Sequence, residues 1–267
     1  EILQRSKLEW KPLSEFGRAY IGCKTGMNEV FVVSSAEARK LRLEQSVLFP
    51  YALRGEEINR YTVVEPDALV IYPYREGSDG NPKLIPEAEL QRDCPRVHER
   101  LLSFKSQLRQ RQDSRRSYAS GADWYRHLRP GSFNYIRPHK LVFKAIAKTS
   151  CGGLLGKNIA FDGANCPAII PETLAEHSIK YLLGVLNSKL ISYYLRGVCP
   201  PKLSSYFKFS ATCLSGTPIR ACNFRDKADK VRHDKMVTLV ERMLDLHERL
   251  AKAKAPDDKT KLQRQID

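Results

Sequence analysis

Apolar residues in this 267-residue chain come in short runs bounded by turn-forming residues, and this pattern restricts the fold more than any other feature. The runs at residues 30–33 and 69–72 are rich in β-branched and aromatic side chains, which is typical of strands. A short helix over residues 35–43, with Ser34 or Ser35 as its N-cap, is predicted between them. Further strands are predicted at residues 141–146, 158–161 and 168–170.

Helical spacing appears in three longer segments. In residues 93–112, apolar side chains recur every three or four positions, and the same spacing gives residues 179–195 one apolar face. The segment 226–254 predicts a single amphipathic helix that ends before Pro256, because proline cannot continue a helix. Its apolar pattern is too short to favour a coiled coil. The chain is therefore predicted to have an α+β fold of mixed strands, with a helical C-terminal part that ends in a long amphipathic helix.

The charge balance indicates an acidic partner. The chain has 45 Lys and Arg residues against 30 Asp and Glu residues, a formal net charge of +15. Nucleic acid is the commonest partner of a chain this basic. No run of 18 apolar residues occurs, so no membrane span is predicted and a membrane is not expected as a partner.

Most of this positive charge lies in one part of the chain. Residues 92–148 contain fourteen Lys or Arg residues and four acidic residues, a local charge of +10. Aromatic residues lie between these cations, and we assign Trp124, Tyr125 and Phe143 to the core. The basic side chains suit phosphates, and arginine can also donate to guanine edges. We assign this role first to Arg109, Arg111, Arg115 and Arg116.

No catalytic motif accompanies the charge. A methyltransferase acting on an adenine amine needs Asn or Asp, two prolines and an aromatic residue, and Cys199-Pro200-Pro201-Lys202 lacks both the acceptor and the aromatic. The glycine-rich segment 152–158 is one residue short of a phosphate loop and has Asn158 where Ser or Thr is required. The six histidines show no metal-ligand spacing.

Cysteine usage predicts a compartment. The seven cysteines are odd in number and include no Cys-x-x-Cys pair, which favours reduced thiols in a cytoplasmic protein. The chain opens at Glu1 without Met and stops within a polar run, so we expect it to be a piece of a longer protein.

Six groups of residues follow one another along the chain: 20–28 with 30–33, 53–61 with 69–73, 101–111, 124–130 with 140–143, 181–190, and 218–219. In this order they resemble the TaqI-like C-terminal specificity domain, the target recognition domain of type IIG restriction–modification enzymes and related adenine methyltransferases. The resemblance covers about residues 18–250, and Cys23 and the loop 152–156 depart from the family pattern.

The resemblance implies a non-catalytic module that reads duplex DNA, mostly in the major groove. An N-terminal methyltransferase domain of the same chain would bind S-adenosylmethionine, and this fragment would hold no cofactor and no metal. Residues 1–17 would be the linker to that domain, 18–224 the target recognition domain and 225–267 the C-terminal helix and tail. The side chains expected at the DNA are Lys24, Thr25, Asn28, Arg54, Arg60, Arg109, Arg111, Arg115, Arg116, Arg126, Arg129, Lys140, Lys144 and Lys148.

Alternatives remain open at this stage. The turn at Lys24, Thr25 and Asn28 could be structural, and Arg54 and Arg60 could pair with neighbouring glutamates. The chain could instead be an interaction scaffold whose helices 179–195 and 226–254 dock a partner. It could also bind RNA, since interleaved aromatic and basic residues suit single strands.

Overall fold

A computed structural model describes residues 9–113, 116–117, 121–171, 177–202 and 205–266. The strands are β1 (Trp10–Pro12), β2 (Gly17–Tyr20), β3 (Val32–Ser34), β4 (Leu48–Ala52), β5 (Tyr61–Thr62), β6 (Ala68–Ile71), β7 (Tyr74–Glu76), β8 (Pro82–Leu84), β9 (Gln112–Asp113), β10 (Arg116–Ser117), β11 (Lys140–Phe143), β12 (Ile146–Ala147), β13 (Gly152–Leu155), β14 (Ala160–Phe161), β15 (Ala168–Pro171), β16 (Phe207–Lys208) and β17 (Pro218–Arg220). The helices are α1 (Asn28–Phe31), α2 (Ser35–Lys40), α3 (Glu87–Asp93), α4 (Pro95–Ser103), α5 (Lys105–Arg109), α6 (Phe133–Ile136), α7 (Ile179–Leu186), α8 (Lys189–Val198), α9 (Ala211–Ser215), α10 (Lys227–Lys252) and α11 (Pro256–Ile266). The predicted α+β class is confirmed.

Two mixed sheets form the centre of the fold. The larger sheet has the order β2-β15-β11-β13-β5, in which only the β13–β5 pair is parallel. The smaller sheet has the order β14-β4-β6-β3, in which only β14 and β4 are parallel. The remaining strands pair two by two in small ribbons: β1 with β17, β7 with β8, β9 with β10, and β12 with β16.

Helices cover the outer faces of both sheets. Because side chains alternate between the faces of a strand, Leu141 and Phe143 of β11 pack against α7, α8 and α10, while Val142 packs towards the smaller sheet. On that sheet, Ile71 packs against the layer that contains α3, α4 and α5. The layers are therefore helix, sheet, sheet, helix. Trp124 and Tyr125 are buried in the second helical layer, which confirms the core assignment of these two residues and of Phe143.

The helix predicted over residues 179–195 is interrupted. It is divided into α7 and α8 because Asn187 is buried and its side-chain amide exchanges two hydrogen bonds of 2.8 Å with the backbone of Gly152 on β13. Ser188 then caps α8 by accepting from the backbone N–H of Ile191. A tertiary contact therefore breaks a segment whose apolar periodicity is continuous.

Two other predictions need correction. Residues 28–31 form the helical turn α1 in place of the start of a strand, because the Thr25–Asn28 turn begins a helical hydrogen-bond pattern from Met27. Residues 93–112 do not form one helix either. Pro95 disfavours helical backbone at the preceding residue, so Cys94 separates α3 from α4 and the helix within this range begins at Pro95. The range is then divided at Phe104, whose backbone (φ −111°, ψ 14°) leaves the α-helical region between α4 and α5.

Both ends of the described chain pack on the central fold. Within the predicted linker 1–17, residues 10–12 pair with β17, and Leu13 and Phe16 are buried in the core with the helices of the first layer. The linker boundary at residue 17 therefore needs correction. The long helix predicted at 226–254 is confirmed as α10, and α11 folds back on it with Leu262 buried.

Candidate nucleic-acid interface

Four loops meet at one edge of the two sheets. The end of β2 lies beside the start of β15, since Tyr20 is opposite Ala168. The end of β11 lies on the other side of β15, next to the same start. The starts of β13 and β5 and the ends of β4 and β14 complete the same edge. We call the surface formed by residues 21–27, 53–60, 144–151 and 162–167 the loop edge.

Backbone hydrogen bonds hold these loops together. Cys23 donates to the carbonyl of Phe161 at 2.9 Å, and Gly163 donates back to Cys23 at 2.9 Å. The side-chain amide of Asn165 donates to Leu53, and the backbone N–H of Ala145 donates to Asn165. The four loops of the loop edge are therefore held together, because each loop forms a hydrogen bond with at least one other.

A buried carboxylate organises the loop 162–167. One oxygen of Asp162 accepts from the backbone N–H groups of Ala164 and Asn165, both at 2.9 Å. The other oxygen accepts from the Tyr51 hydroxyl at 3.1 Å. Three donors thus satisfy this carboxylate, and it adds little exposed negative charge to the loop edge because its side chain is buried.

A second buried network supports Lys24 from below. Burial lowers the pKa of His127 to about 3, so its imidazole is neutral. Nε2 lies 2.9 Å from the carbonyl of Ile71 and donates to it, which leaves Nδ1 to accept from the Cys23 thiol at 3.1 Å. The exposed Lys24 follows directly in the chain and exchanges backbone hydrogen bonds of 2.8 and 3.0 Å with Arg129.

A cationic cleft of about 540 Å³ opens on the loop edge. Strand β12 pairs with β16 beside it, so Lys208 lies opposite Ile146 and joins the cleft. Three lysines line the cleft: Lys144, Lys148 and Lys208. None of them forms an ion pair with a described residue, and the ammonium of Lys148 lies 5.4 Å from the Tyr206 ring centre. The polar and aromatic side chains that line it are Lys144, Lys148, Lys208, Tyr206, Asn165, Thr149 and Glu56.

Arg111 is buried inside the protein, so the prediction that it contacts DNA is wrong. Its guanidinium donates to the carbonyls of Leu108 at 2.9 Å and of Thr25, Trp124 and Arg126 at 2.8 Å. These carbonyls belong to three separate segments of the chain. Arg111 therefore ties the turn at residues 24–28 to the segment 124–126.

Lys140 is also an internal side chain and needs the same correction. It is fully buried, and its ammonium group lies at 3.0–3.1 Å from the carbonyls of Ile136, Gly156 and Ile159. Burial lowers its pKa from the ordinary 10.5 to about 7. Thr25 is buried as well, and its hydroxyl donates to the side-chain oxygen of Asn28, as the structural alternative for this turn predicted.

The basic residues of the second helical layer do not extend the cationic cleft. Four of them face carboxylates in the fold: Arg92 with Asp93, Arg96 with Glu99, Arg100 with Glu37, and Lys105 with Glu87. With Arg111 and Lys140 buried, the fourteen basic side chains of residues 92–148 do not form one surface. The expectation of a single cationic stretch is therefore wrong, and the positive cleft is smaller and built from several loops.

The remaining described side chains predicted at the DNA are either bonded within the protein or exposed to solvent. Arg54 pairs with Glu57 at 3.3 Å, as the ion-pair alternative predicted, and Arg60 donates to the carbonyl of Asn187 at 2.7 Å. Arg126 pairs with Asp123 and Arg129 with Asp113. Arg109 is exposed without an ion pair among the described residues, and Asn28, Lys24 and Lys148 are exposed too. Arg115 and the side chain of Arg116 lie outside the described residues.

Sequence reasoning missed the contribution of Tyr206, Lys208 and Asn165. Residues 199–224 lie outside the segments predicted as helix or strand, yet β16 within them carries Lys208 to the cleft. The close spacing of Lys202, Tyr206 and Lys208 repeats the basic and aromatic interleaving that the sequence shows in residues 92–148. That local pattern was the available signal.

Two features are absent from the described residues. No described helix is long and apolar enough to cross a membrane. No group of three or more His, Cys, Asp or Glu side chains in the part of the chain with described coordinates is placed to hold a metal ion.

The fold and the site define an α+β domain with helices outside two mixed sheets and cationic loops gathered at one edge. Residues 51–219 match the family model of the TaqI-like C-terminal specificity domain. Because this match covers more than half of the chain, the chain belongs to that family, as the sequence resemblance predicted. No curated protein sequence matches it.

Two solved structures share the fold. The type IIL restriction-modification enzyme MmeI, solved in complex with DNA, superposes with a TM-score of 0.63 at 15% identity, over 97% of this chain and 33% of that chain. The type IIG restriction endonuclease BpuSI superposes with a TM-score of 0.51 at 11% identity, over 96% of this chain and 30% of that chain. The chain thus spans about a third of the length of either enzyme.

Proposed function

We propose that this chain is the module that recognises duplex DNA in a restriction–modification enzyme, and that the loop edge is the surface that contacts the duplex. Membership of a family of specificity domains supports the proposal, and the MmeI structure that shares its fold is a complex with DNA. The observation that carries it is the cationic cleft, in which three lysines without an ion pair among the described residues line one opening.

In this proposal the cleft lysines bind phosphates. Lys144, Lys148 and Lys208 reach solvent at the loop edge, and Lys24 extends the positive surface towards residues 124–130. Such contacts fix the register of a protein on the duplex but carry no base information themselves. Arg54, Arg60, Arg109, Arg126 and Arg129 stay further candidates for contact with DNA, at the positions described above.

We further infer that the methyl-transfer step belongs to another part of the parent protein. The parent would be an adenine-N6 DNA methyltransferase in the cytoplasm, with S-adenosylmethionine bound by an N-terminal domain of the same chain. The 267 residues contain no Asn/Asp-Pro-Pro-Tyr/Phe motif, which supports this division. The isolated chain is expected to transfer no methyl group to duplex DNA, and incorporation of labelled methyl would contradict the division.

The salt dependence of DNA binding tests the proposal. Each neutralised phosphate changes the slope of log affinity against log salt concentration by about −0.9. Four lysines, Lys24 and the three of the cleft, therefore predict a slope of about −3.6 for the 267-residue chain on a duplex of random sequence. The combined variant Lys144→Gln, Lys148→Gln, Lys208→Gln is expected to reduce the slope to about −0.9.

A matched control removes the same charge elsewhere. Lys227, Lys235 and Lys254 are exposed on or next to α10 and form no ion pair with a described residue. Replacing all three by glutamine should leave the slope near −3.6. A wild-type slope near zero would overturn the placement of the duplex. An equal reduction of the slope in both triple variants would overturn it too. Stronger competition by single-stranded RNA than by duplex DNA would favour the RNA alternative.

A further inference from the structure

The cationic cleft contains one carboxylate that the fold itself does not use. Glu56 is exposed and lines the same opening as Lys144, Lys148 and Lys208. It forms neither an ion pair nor a hydrogen bond through its side chain with a described residue. An unpaired carboxylate therefore shares one cleft with three ammonium groups that have no ion pair among the described residues either.

The backbone that carries Glu56 is held in place by its neighbours. Glu56 lies in a short 3-10 turn over Gly55–Glu57. The side chain of Glu57 accepts from the backbone N–H groups of Leu53 at 3.0 Å and Arg54 at 3.3 Å. The residue after the turn, Ile58, is buried in the core. Glu56 therefore projects from a fixed turn, and such preorganisation reduces the entropy lost on binding.

Ile146 is a second member of the cleft that does not suit phosphate. Its side chain is 48% exposed and lies opposite Lys208 in the pair of β12 and β16. Because directly opposite side chains share a face of a strand pair, Ile146 and Lys208 face the cleft together. The other face buries Ala147 and packs Phe207 against the core. A surface for phosphates alone has no use for this alkyl group or for a carboxylate.

The edges of base pairs suit both side chains. A duplex that follows the lysines brings phosphates close to Glu56, and the two negative charges repel each other. A base that donates a hydrogen bond to the carboxylate offsets this repulsion. In the major groove, cytosine presents its N4 amine as a donor, and alkyl groups contact the thymine methyl. Adenine also presents an amine, but its N7 acceptor lies beside that amine and repels a carboxylate.

We propose that Glu56 reads a cytosine in the major groove by accepting a hydrogen bond from its N4 amine, an inference that rests on the proposed function. The three lysines of the cleft bind the flanking phosphates and fix the register of the duplex, which carries no base information by itself. Glu56 supplies that information at one base pair. Its position in the cleft thus explains a carboxylate that has no partner among the described residues.

Selection from a randomised duplex library tests the assignment with the 267-residue chain. The wild-type chain should enrich a motif that contains a cytosine, and Glu56→Ala should lose discrimination at one base pair by between about 5-fold and 150-fold. Glu56→Gln keeps an oxygen acceptor and gains an amide donor, so its preference at that base pair should shift towards adenine. Thermal unfolding of both variants should match wild type, because the replaced side chain is exposed and unpaired.

The sign of a second effect separates base reading from a general loss of binding. Removing a negative charge beside phosphates should leave the affinity of Glu56→Ala for a duplex without the motif equal to or above that of wild type, while its affinity for the motif falls. The matched control is Glu65→Ala. Glu65 is exposed, forms no ion pair with a described residue and does not line the cleft, so the motif should stay unchanged.

A modified base tests which atom is contacted. Replacing the selected cytosine by 2-pyrimidinone removes the N4 amine, which should weaken wild-type binding and leave Glu56→Ala unaffected. A wild-type motif without cytosine, an unchanged motif in Glu56→Ala, or a uniform loss over all sequences would overturn the role of Glu56. These results leave the proposed function in place, because its salt dependence is measured on duplexes of random sequence. Absence of any duplex binding by the wild-type chain would overturn the proposed function itself, and the role of Glu56 with it.

Discussion

Replacement of Arg111 by methionine tests whether this residue belongs to the interior. The substitution keeps the length of the side chain but removes every donor, so four backbone carbonyls lose the partner described above. Hydrogen bonds to a charged group contribute about 1.5–3 kcal/mol each. The several kcal/mol needed to bury the guanidinium offset part of that gain. We therefore expect a net loss of about 3–5 kcal/mol, because buried carbonyls left without a donor cost about 1–3 kcal/mol each and the saved desolvation of the guanidinium offsets part of that sum.

A loss of this size is readily measured by urea unfolding. With a denaturant slope of about 3 kcal/mol per molar, the transition midpoint should fall by about 1–1.7 M. Because folded proteins are stable by only about 5–15 kcal/mol, Arg111→Met should be measured at low temperature, where the native state still dominates. Arg111→Lys should recover only part of the loss, since an ammonium lacks the planar fork of donors that fits carbonyls in several directions.

Arg109→Met is the matched control. Arg109 is exposed two residues earlier and forms no ion pair with a described residue, so its replacement should change stability by less than about 0.5 kcal/mol. Equal midpoints for the two methionine variants would refute the structural role of Arg111. An Arg111→Met protein that keeps its midpoint but loses DNA affinity would restore the prediction made from sequence.

Three further predictions concern stability. The folded state excludes a proton from His127 that the unfolded chain binds as the pH falls through 6.5, so stability from this group declines between pH 6.5 and about 3. From pH 7.5 to 5, urea unfolding should show wild type losing about 2 kcal/mol more than His127→Gln, and identical losses would contradict the buried neutral imidazole. Lys140→Met should lower the unfolding free energy by about 3 kcal/mol, because three carbonyls lose their donor, and leave the DNA affinity of the folded protein unchanged. A reduced DNA affinity would instead support the predicted contact between Lys140 and DNA. Gly22→Ala should cost about 1–3 kcal/mol, since its Cβ would lie 2.1 Å from the carbonyl oxygen of Phe161. Its control in thermal unfolding is Gly197→Ala in α8, where the added Cβ meets nothing within 4 Å and better helix propensity should raise stability.

Local sequence pattern predicted the elements whose character depends on near neighbours. The long helix α10, the strand β15 and the capped helix α2 all follow from periodicity and terminal residues. It did not predict the division between α7 and α8, because that break depends on an amide that reaches a strand 35 positions earlier in the chain. The apolar spacing is continuous across the break and carries no sign of it.

The candidate site also shows what local sequence pattern fails to predict. The sequence indicated a cationic module and its family, yet contacts between distant parts of the chain decided which individual cations stay available. Arg100 meets Glu37, and Lys105 meets Glu87, so charge that looks unbalanced in the local sequence is paired in the fold. Lys208 joins Lys144 and Lys148 only because β16 pairs with β12.

By itself, the sequence determined the class of this protein: an α+β domain with a strongly basic surface, no catalytic motif and the ordered segments of a specificity family. Those properties depend on composition and short-range periodicity, which a linear reading captures. Only the tertiary structure decided which basic side chains remain available to a partner. Burial and ion pairing are set by residues far apart in the chain, so Arg111 lies inside the protein and Lys148 on its surface, although both belong to the same basic segment of the sequence.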